Sequence, residues 1–293
     1  MMRKFLSTVA VLGLGVATAA HAQSGWSELN MTAGVTAMSR QIYGLHMLMF
    51  KLCVGIAVVV FGVMAYSIFA FRKSRGAVAD TTLVHSTTVE IIWTIVPIAI
   101  LVATAVPAAT TLIKTEDLRN SQLTIRVTGF QWGWNYEYLN SGVNYFSRLD
   151  RASDAARQLG SGVDVTTVPH YLLNVDKPLV VPVGTKVRVL VTANDVIHSW
   201  WVPAFGVKKD AIPGFVNEAW FNVDADKPGL YRGNCAELCG RDHGFMPIVV
   251  DARPRAEFLA WLKAEQAAEH PPAADASSPA AAAASAPAAP GAK

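Results

Sequence analysis

The segment "LTIRVTGFQWGWNYEY", residues 123–138, decides the fold. Apolar and aromatic side chains recur at every second position, Ile125 and Val127 and then Trp134, Tyr136 and Tyr138, which is the period of a half-buried strand and not of a helix. The pattern repeats further along the chain. "PLVVPVGTKVRVLVTAN" at 178–194, "NEAWFNV" at 217–223 and "MPIVVDA" at 246–252 are runs of strand length, and "PVGT", "IPG" and "KPG" punctuate them with turn residues. Residues 121–253 therefore predict one all-β domain, a sandwich or barrel rather than a series of βαβ units. Within it Asn140 to Val168 is polar and weakly patterned, and reads as a long surface insertion.

Two stretches ahead of this domain carry no charged side chain, Leu52 to Phe71 and Ile91 to Ile113. Each has the roughly 20 apolar residues that a membrane-spanning helix needs. They predict a hairpin within 23–120, with helices at about 45–71 and 89–113. Pro97 and Pro107 fall inside the second, where a packed membrane helix can tolerate them. Arg72, Lys73 and Arg75 between the two stretches place that link in the cytoplasm, so everything after Lys114 faces the exported side. The opening "MMRKFLSTVAVLGLGVATAAHAQ" agrees: Arg3 and Lys4, a short apolar core and small residues at Ala20 and Ala22 predict a cleaved signal peptide, 1–22. At the other end, 254–270 predicts a short amphipathic helix with Phe258, Leu259 and Leu262 on one face, and the Ala/Pro/Ser-rich 271–293 a disordered tail. Residues 121–253 hold 13 Lys+Arg against 13 Asp+Glu, a balance that gives no basis for a nucleic-acid partner.

The chemistry concentrates in "RGNCAELCGRDHGFMP", residues 232–247, which offers Cys235, Cys239, His243 and Met246 along one short segment. Two nearby cysteines in an exported domain ordinarily mean a disulfide. A disulfide explains neither His243 nor Met246, nor His198 among the aromatics of "NDVIHSWWVP". Zinc would use the two thiolates and two imidazoles and leave Met246 idle. A single blue-copper ion would leave one thiolate over. Two coppers bridged by both thiolates would use the whole set, each taking one imidazole and one weak axial donor, Met246 for one and a nearby backbone carbonyl for the other. Such sharing also suits electron transfer, because each bond changes little between oxidation states. Cys53 stands alone in the first membrane stretch, as a small hydrophobe would.

From Met31 to about Leu262 the chain resembles subunit II of bacterial haem-copper cytochrome c oxidases. The motifs that carry the resemblance are "VEIIWTIVPIAIL", "GFQWGWNYEY", "DVIHSWWVP", "KKDAIPGFVNEAWF" and "GLYRGNCAELCGRDHGFMPIVV". It implies a membrane two-helix hairpin followed by an all-β cupredoxin-like Greek-key sandwich. It implies a dinuclear copper A centre on His198, Cys235, Cys239, His243 and Met246, with Glu237 giving a backbone carbonyl to copper and its carboxylate to a magnesium ion shared with subunit I. By the same likeness Trp132 receives electrons from cytochrome c, Glu90 stands at the mouth of a proton path, and Asp195 is a docking acid, although a turn-forming role would equally explain it. Implied partners are subunits I and III, cytochrome c and membrane lipid, in a bacterial inner membrane with the copper domain on the periplasmic side. The chain would then pass electrons to haem in subunit I, where oxygen becomes water and protons are pumped, without itself reducing oxygen.

Two features depart from the family. Residues 140–168 set Arg148, Arg151 and Arg157 against Asp150, Asp154 and Asp164 where many relatives have an acidic docking loop, and Phe215 follows "IPG" where an arginine is common. There is no C-x-x-C-H haem-attachment motif. Nitrous oxide reductase shares the copper centre without this hairpin, quinol-oxidase subunit II keeps the hairpin without the ligands, and a copper-delivery module would need no helix built to lie against another subunit.

Overall fold

The computed structural model describes residues 30–78, 81–82 and 85–269, so the predicted signal peptide and tail lie outside the described residues. Among the described residues two long helices, α1 (Ala37–Ala70) and α2 (Thr87–Thr115), precede the β domain. At 1.5 Å per residue each exceeds the roughly 30 Å of a bilayer core. Their surfaces are apolar outward, with Val58, Phe61 and Phe69 on α1 and Ile91, Trp93 and Leu101 on α2 all exposed. Both are long and apolar enough to cross a membrane, and these faces suit lipid or a neighbouring membrane subunit.

α1 begins at Ala37 and not near 45 because its first turns pack on protein and not on lipid. Thr36 and Ser39 form a reciprocal cap, Ser39 N donating to Thr36 Oγ1 at 2.9 Å and Thr36 N to Ser39 Oγ at 3.1 Å. Met38 and Ser39 are buried, in a stretch too polar to register as a membrane span.

The β domain runs β1 (Leu123–Phe130), β2 (Gly133–Tyr138), β3 (Val143–Ser147), a short helix α3 (Arg151–Ala156), β4 (Leu179–Pro182), β5 (Val187–Ala193), β6 (His198–Val202), β7 (Val207–Ala211), β8 (Asn217–Phe221), β9 (Gly229–Cys235) and β10 (Ile248–Arg253), and ends in α4 (Arg255–Glu269). The strands form two five-stranded sheets, ordered β3-β2-β1-β5-β8 and β4-β10-β9-β6-β7. β1 pairs parallel with β5 and β4 with β10, and the other pairs are antiparallel. The chain changes sheet after β3, β4, β5, β7 and β8, so neither sheet closes without the other.

Between the sheets lies the core that the alternation predicts. Ile125, Val127, Trp134 and Tyr136 from one sheet meet Leu179, Trp200, Ile248 and Val250 from the other, all fully buried. Each large side chain so placed contributes about 1.5–3 kcal/mol. Tyr138 joins the sheets: its hydroxyl donates to Val180 O at 2.6 Å and accepts from Val180 N at 3.0 Å.

Two expectations need correction. The segment 140–168 is not all surface insertion, because Val143–Ser147 forms β3 and pairs with β2. Its inward side chains, Val143, Tyr145 and Ser147, are buried while Asn144 and Phe146 face out. In α4 the packed face is Phe258, Trp261 and Leu262, and Leu259 is exposed, since the helix lies with Trp261 against Tyr138 at 5.3 Å between ring centroids.

The sandwich is fastened to both ends of the hairpin. Before α1, Val35 N donates to Ala204 O at 2.9 Å, Thr36 Oγ1 to Phe205 O at 2.9 Å, and Arg40 pairs with Asp224. After α2, Lys186 Nζ donates to the carbonyls of Asp117 and Arg119 at 2.6 and 2.7 Å, a cation at a helix C-terminal end. Trp220 Nε1 donates to Lys114 O at 3.3 Å.

Candidate metal centre

Where β9 leaves its sheet, Cys235 pairs across to Trp200 of β6, whose first residue is His198. The chain then loops through Glu237 and Cys239, makes a 3-10 turn at His243–Phe245 and reaches Met246 just before β10. This path brings the soft donors of the sequence together. Cys235 Sγ lies 3.9 Å from Cys239 Sγ and 3.9 Å from His198 Nδ1, and Cys239 Sγ lies 3.4 Å from both His243 Nδ1 and Met246 Sδ. The Glu237 carbonyl oxygen is 3.3 Å from Cys235 Sγ. His198, Cys235, Cys239 and Met246 are buried.

The donor set fits soft metal ions. The two sulfurs stand well beyond the disulfide length of about 2.05 Å. Their 3.9 Å spacing is less than twice a metal–thiolate bond of about 2.3 Å, so one ion can touch both sulfurs and a second can do so from the other side. Two nitrogens, a thioether and a carbonyl are then left to complete the surroundings.

The thiols are unequal. Burial and the neighbouring Cys235 push the Cys239 thiol up to about 12. Burial also raises Cys235, but hydrogen bonds from His198 and from the Ser199 and Glu237 backbone outweigh it and leave that thiol below its ordinary value. Against the opposing effect of burial, contacts with Cys235 and Asp195 raise His198.

Asp195 is exposed at the end of the turn before β6, with 32% of its side chain open to solvent, and its carboxylate is also bonded within the chain. One oxygen lies 2.9 Å from His198 Nε2 and accepts from Val196 N at 2.7 Å, while the other accepts from Gln131 N at 2.7 Å. It therefore holds the ring that aims Nδ1 at Cys235, and ties it to the β1–β2 turn. Gln131 was not singled out by the sequence, yet its Nε2 donates to Cys239 O at 2.9 Å. Trp132 Nε1 donates to the same carbonyl at 3.3 Å, and Trp134 Nε1 donates to Met246 O at 3.3 Å. The alternation of "FQWGWNY" was the available signal for these aromatics, but it does not say that their N–H groups reach the ligand loop.

Two glycines make room. A Cβ on Gly129 would stand 2.9 Å from His198 Cδ2, and one on Gly240, at φ +118°, would stand 3.2 Å from Trp132 Cζ2. Glu237 presents an exposed carboxylate, and Glu90 lies apart from the cluster in the first turn of α2, 3.8 Å from His85 Nδ1. Cys53 is exposed on α1 and joins nothing in the site.

A pair of long apolar helices carrying a β-sandwich with a Cys/His/Met cluster in one loop defines a membrane-anchored protein with a donor set suited to a soft metal ion. Comparison with known proteins narrows the class. The family model described as cytochrome c oxidase subunit II, periplasmic domain, matches residues 123–253, and that for the transmembrane domain matches 24–110. The chain is 34% identical over 268 residues to cytochrome c oxidase subunit 2 of Cereibacter sphaeroides, covering 86% of this chain and 88% of that one. It is 40% identical over 237 residues to the probable cytochrome c oxidase subunit 2 of Rickettsia prowazekii, covering 80% and 71%. The crystallised periplasmic domain of cytochrome oxidase subunit II of Bradyrhizobium japonicum is 40% identical, with a TM-score of 0.44, over 51% of this chain and 96% of that one. The chain belongs to the cytochrome c oxidase subunit II family.

Proposed function

We propose that this chain is the subunit through which electrons reach the oxidase. Reduced cytochrome c would dock beside Trp132, and a dinuclear copper A centre held by His198, Cys235, Cys239, His243, Met246 and the Glu237 carbonyl would supply the one-electron relay to haem in subunit I, where oxygen would be reduced to water and protons pumped. The observation that carries this reading is the convergence of Cys235, Cys239, His198, His243 and Met246, with the Glu237 carbonyl, around two sulfurs 3.9 Å apart. Bound there, a copper pair supplies a one-electron redox site whose ligand bonds change little on reduction.

The chain's own contribution is to hold those donors. The buried β6 and β9 positions fix His198 and Cys235, Asp195 orients the imidazole, and Gln131, Trp132 and Trp134 hold the ligand loop by its carbonyls. Trp132 is only part-buried, which suits a residue that meets a donor. The exposed Glu237 carboxylate is free to help bind magnesium, a preference of hard cations for oxygen, against subunit I. Glu90, with its side chain 44% exposed, suits the mouth of a proton path. The apolar faces of α1 and α2 are assigned to subunits I and III and to lipid, in a bacterial inner membrane with the sandwich on the periplasmic side.

The decisive measurement is electron paramagnetic resonance with visible absorption on the copper-loaded protein. An unpaired electron shared equally over two coppers, lost in Cys235→Ser or Cys239→Ser, is the expected result. A one-copper spectrum, or a protein that binds only zinc, overturns the proposal.

A further inference from the structure

Asp195 holds the ring of His198, but His243 has no such partner. Its Nδ1 lies 3.4 Å from Cys239 Sγ, and among the described residues no carboxylate lies within ion-pair distance of its ring. The residue is half-buried, where His198 is wholly buried. Its direction is therefore set by the 3-10 turn that carries it, His243–Phe245, and not by a bond to the imidazole. Asp242 stands at the start of that turn without capping it through its side chain, which leaves the carboxylate for other partners.

The turn is gripped from outside by Arg157, which follows α3 in the segment between β3 and β4. The guanidinium carbon lies 4.3 Å over the centroid of Phe245. The same group pairs with Asp154 at 2.7 Å and reaches Asp242 at 3.7 Å. A planar guanidinium can stack through its face and pair through its edge at once, so one side chain holds both flanks of His243. Only 23% of the Arg157 side chain and 15% of that of Asp242 are exposed, so solvent screens the pair less than it would an open surface pair.

The segment can grip because it is itself anchored. Leu149 and Val175 bridge its base, with Asp150 N donating to Asn174 O at 3.2 Å and Asp176 N to Arg148 O at 3.0 Å. Within it Ser153 and Ala156 are buried, and Leu172 N donates to Ser153 Oγ at 3.1 Å. Arg232, on β9 just ahead of Cys235, donates from Nη2 to Asn174 Oδ1 at 3.1 Å. The segment 148–176 thus meets the ligand stretch twice, ahead of Cys235 and around His243.

We propose that Arg157 is the positioning residue of His243, doing through the turn what Asp195 does through the imidazole of His198, and that 148–176 is a strap that keeps the two halves of the metal centre alike. The inference rests on the dinuclear copper reading above. An electron shared equally over two ions needs its two imidazoles at matched distances, and a partner outside the ligands is what fixes such a distance.

The test uses the full chain, isotope-labelled at histidine for magnetic resonance, as the parent protein, Arg157→Ala and Phe245→Leu. In the metal-free protein Arg157→Ala is expected to shift and broaden the ring signals of His243 while those of His198 stay in place. Loaded with copper, the same variant is expected to bind the metal about tenfold more weakly and to share the unpaired electron unequally over the two ions. Phe245→Leu leaves the ion pairs intact, removes the stacked ring, and carries the same expectation should Arg157→Ala not fold. Combined, the two substitutions are expected to cost less than the sum of each alone, because they break one contact. His243 signals that stay put in a folded variant, or that move no more than those of His198, overturn the proposal. A parent protein without a two-copper spectrum sinks the copper reading instead, and the metal-free signals still decide the role of Arg157.

Discussion

The indole N–H of Trp132 donates to the carbonyl oxygen of Cys239 at 3.3 Å, so a part-exposed ring on the β1–β2 turn is one hydrogen bond from a residue of the sulfur cluster. Trp132→Phe keeps an aromatic ring and removes that bond, worth about 1 kcal/mol. Stopped-flow mixing with reduced cytochrome c is expected to show slower oxidation with the copper absorption retained. An unaltered rate would assign the indole to packing alone.

The carboxylate of Asp195 has three partners, His198, Val196 and Gln131, and an amide cannot serve all of them. Asp195→Asn is expected to lower copper affinity by about 10–100-fold, as loss of a ligand-orienting partner does elsewhere. Competition against a chelator of known affinity measures this. A curve superimposed on that of the parent protein would return Asp195 to a turn-forming role.

Gly129 lies in β1 directly under the His198 ring. In Gly129→Ala the new methyl, 2.9 Å from Cδ2, must push the imidazole away from Cys235 at a cost of about 1–3 kcal/mol. The expected outcome is a protein that unfolds cooperatively but takes up copper weakly, read by metal content after gel filtration. Full copper occupancy with a parental spectrum would count against His198 as a ligand.

Burial raises the hydroxyls of Tyr136, Tyr138 and Tyr145 above the ordinary tyrosine value. The folded state thus holds these protons more tightly than the unfolded chain, whose tyrosines titrate near 10. The stabilisation is complete below about pH 10 and is lost as pH rises beyond it, at up to about 1.4 kcal/mol per pH unit for each tyrosine. Denaturant melts at increasing alkaline pH should show the midpoint falling, with tyrosinate absorbance appearing together with unfolding. Tyrosinate appearing well before unfolding would show that these hydroxyls are not held.

The parts of the molecule legible in its sequence are those where one simple rule acts alone. Lipid demands long uncharged runs, and Leu52 to Phe71 and Ile91 to Ile113 supply them. The pleat demands alternation, and Trp134, Tyr136 and Tyr138 supply that. The spacing of Cys235, Cys239, His243 and Met246 announced a cluster because few structural needs place four soft donors in one loop. Elsewhere two demands compete. In β3 the buried positions include Ser147 and an exposed one is Phe146, so composition hides the alternation. At the start of α1 burial is against the sandwich, so polar Thr36 and Ser39 are used where hydropathy looks for apolar residues. The contacts from Gln131 and Asp195 to the cluster join residues distant in the chain, and no local pattern records them.

The fastening of the sandwich at Thr36 and Arg40 on one side and at Lys114 to Arg119 on the other has a consequence for how the subunit performs its task. A domain on a single tether swivels, and its tip sweeps through a range of separations from anything in the membrane. Tunnelling falls off exponentially with separation, so a swivelling site would deliver electrons in bursts set by its own wandering. Two moorings remove that freedom. The hairpin then acts as a jig, and the bearing of the Cys235–Met246 loop is inherited from the tilt of the helices.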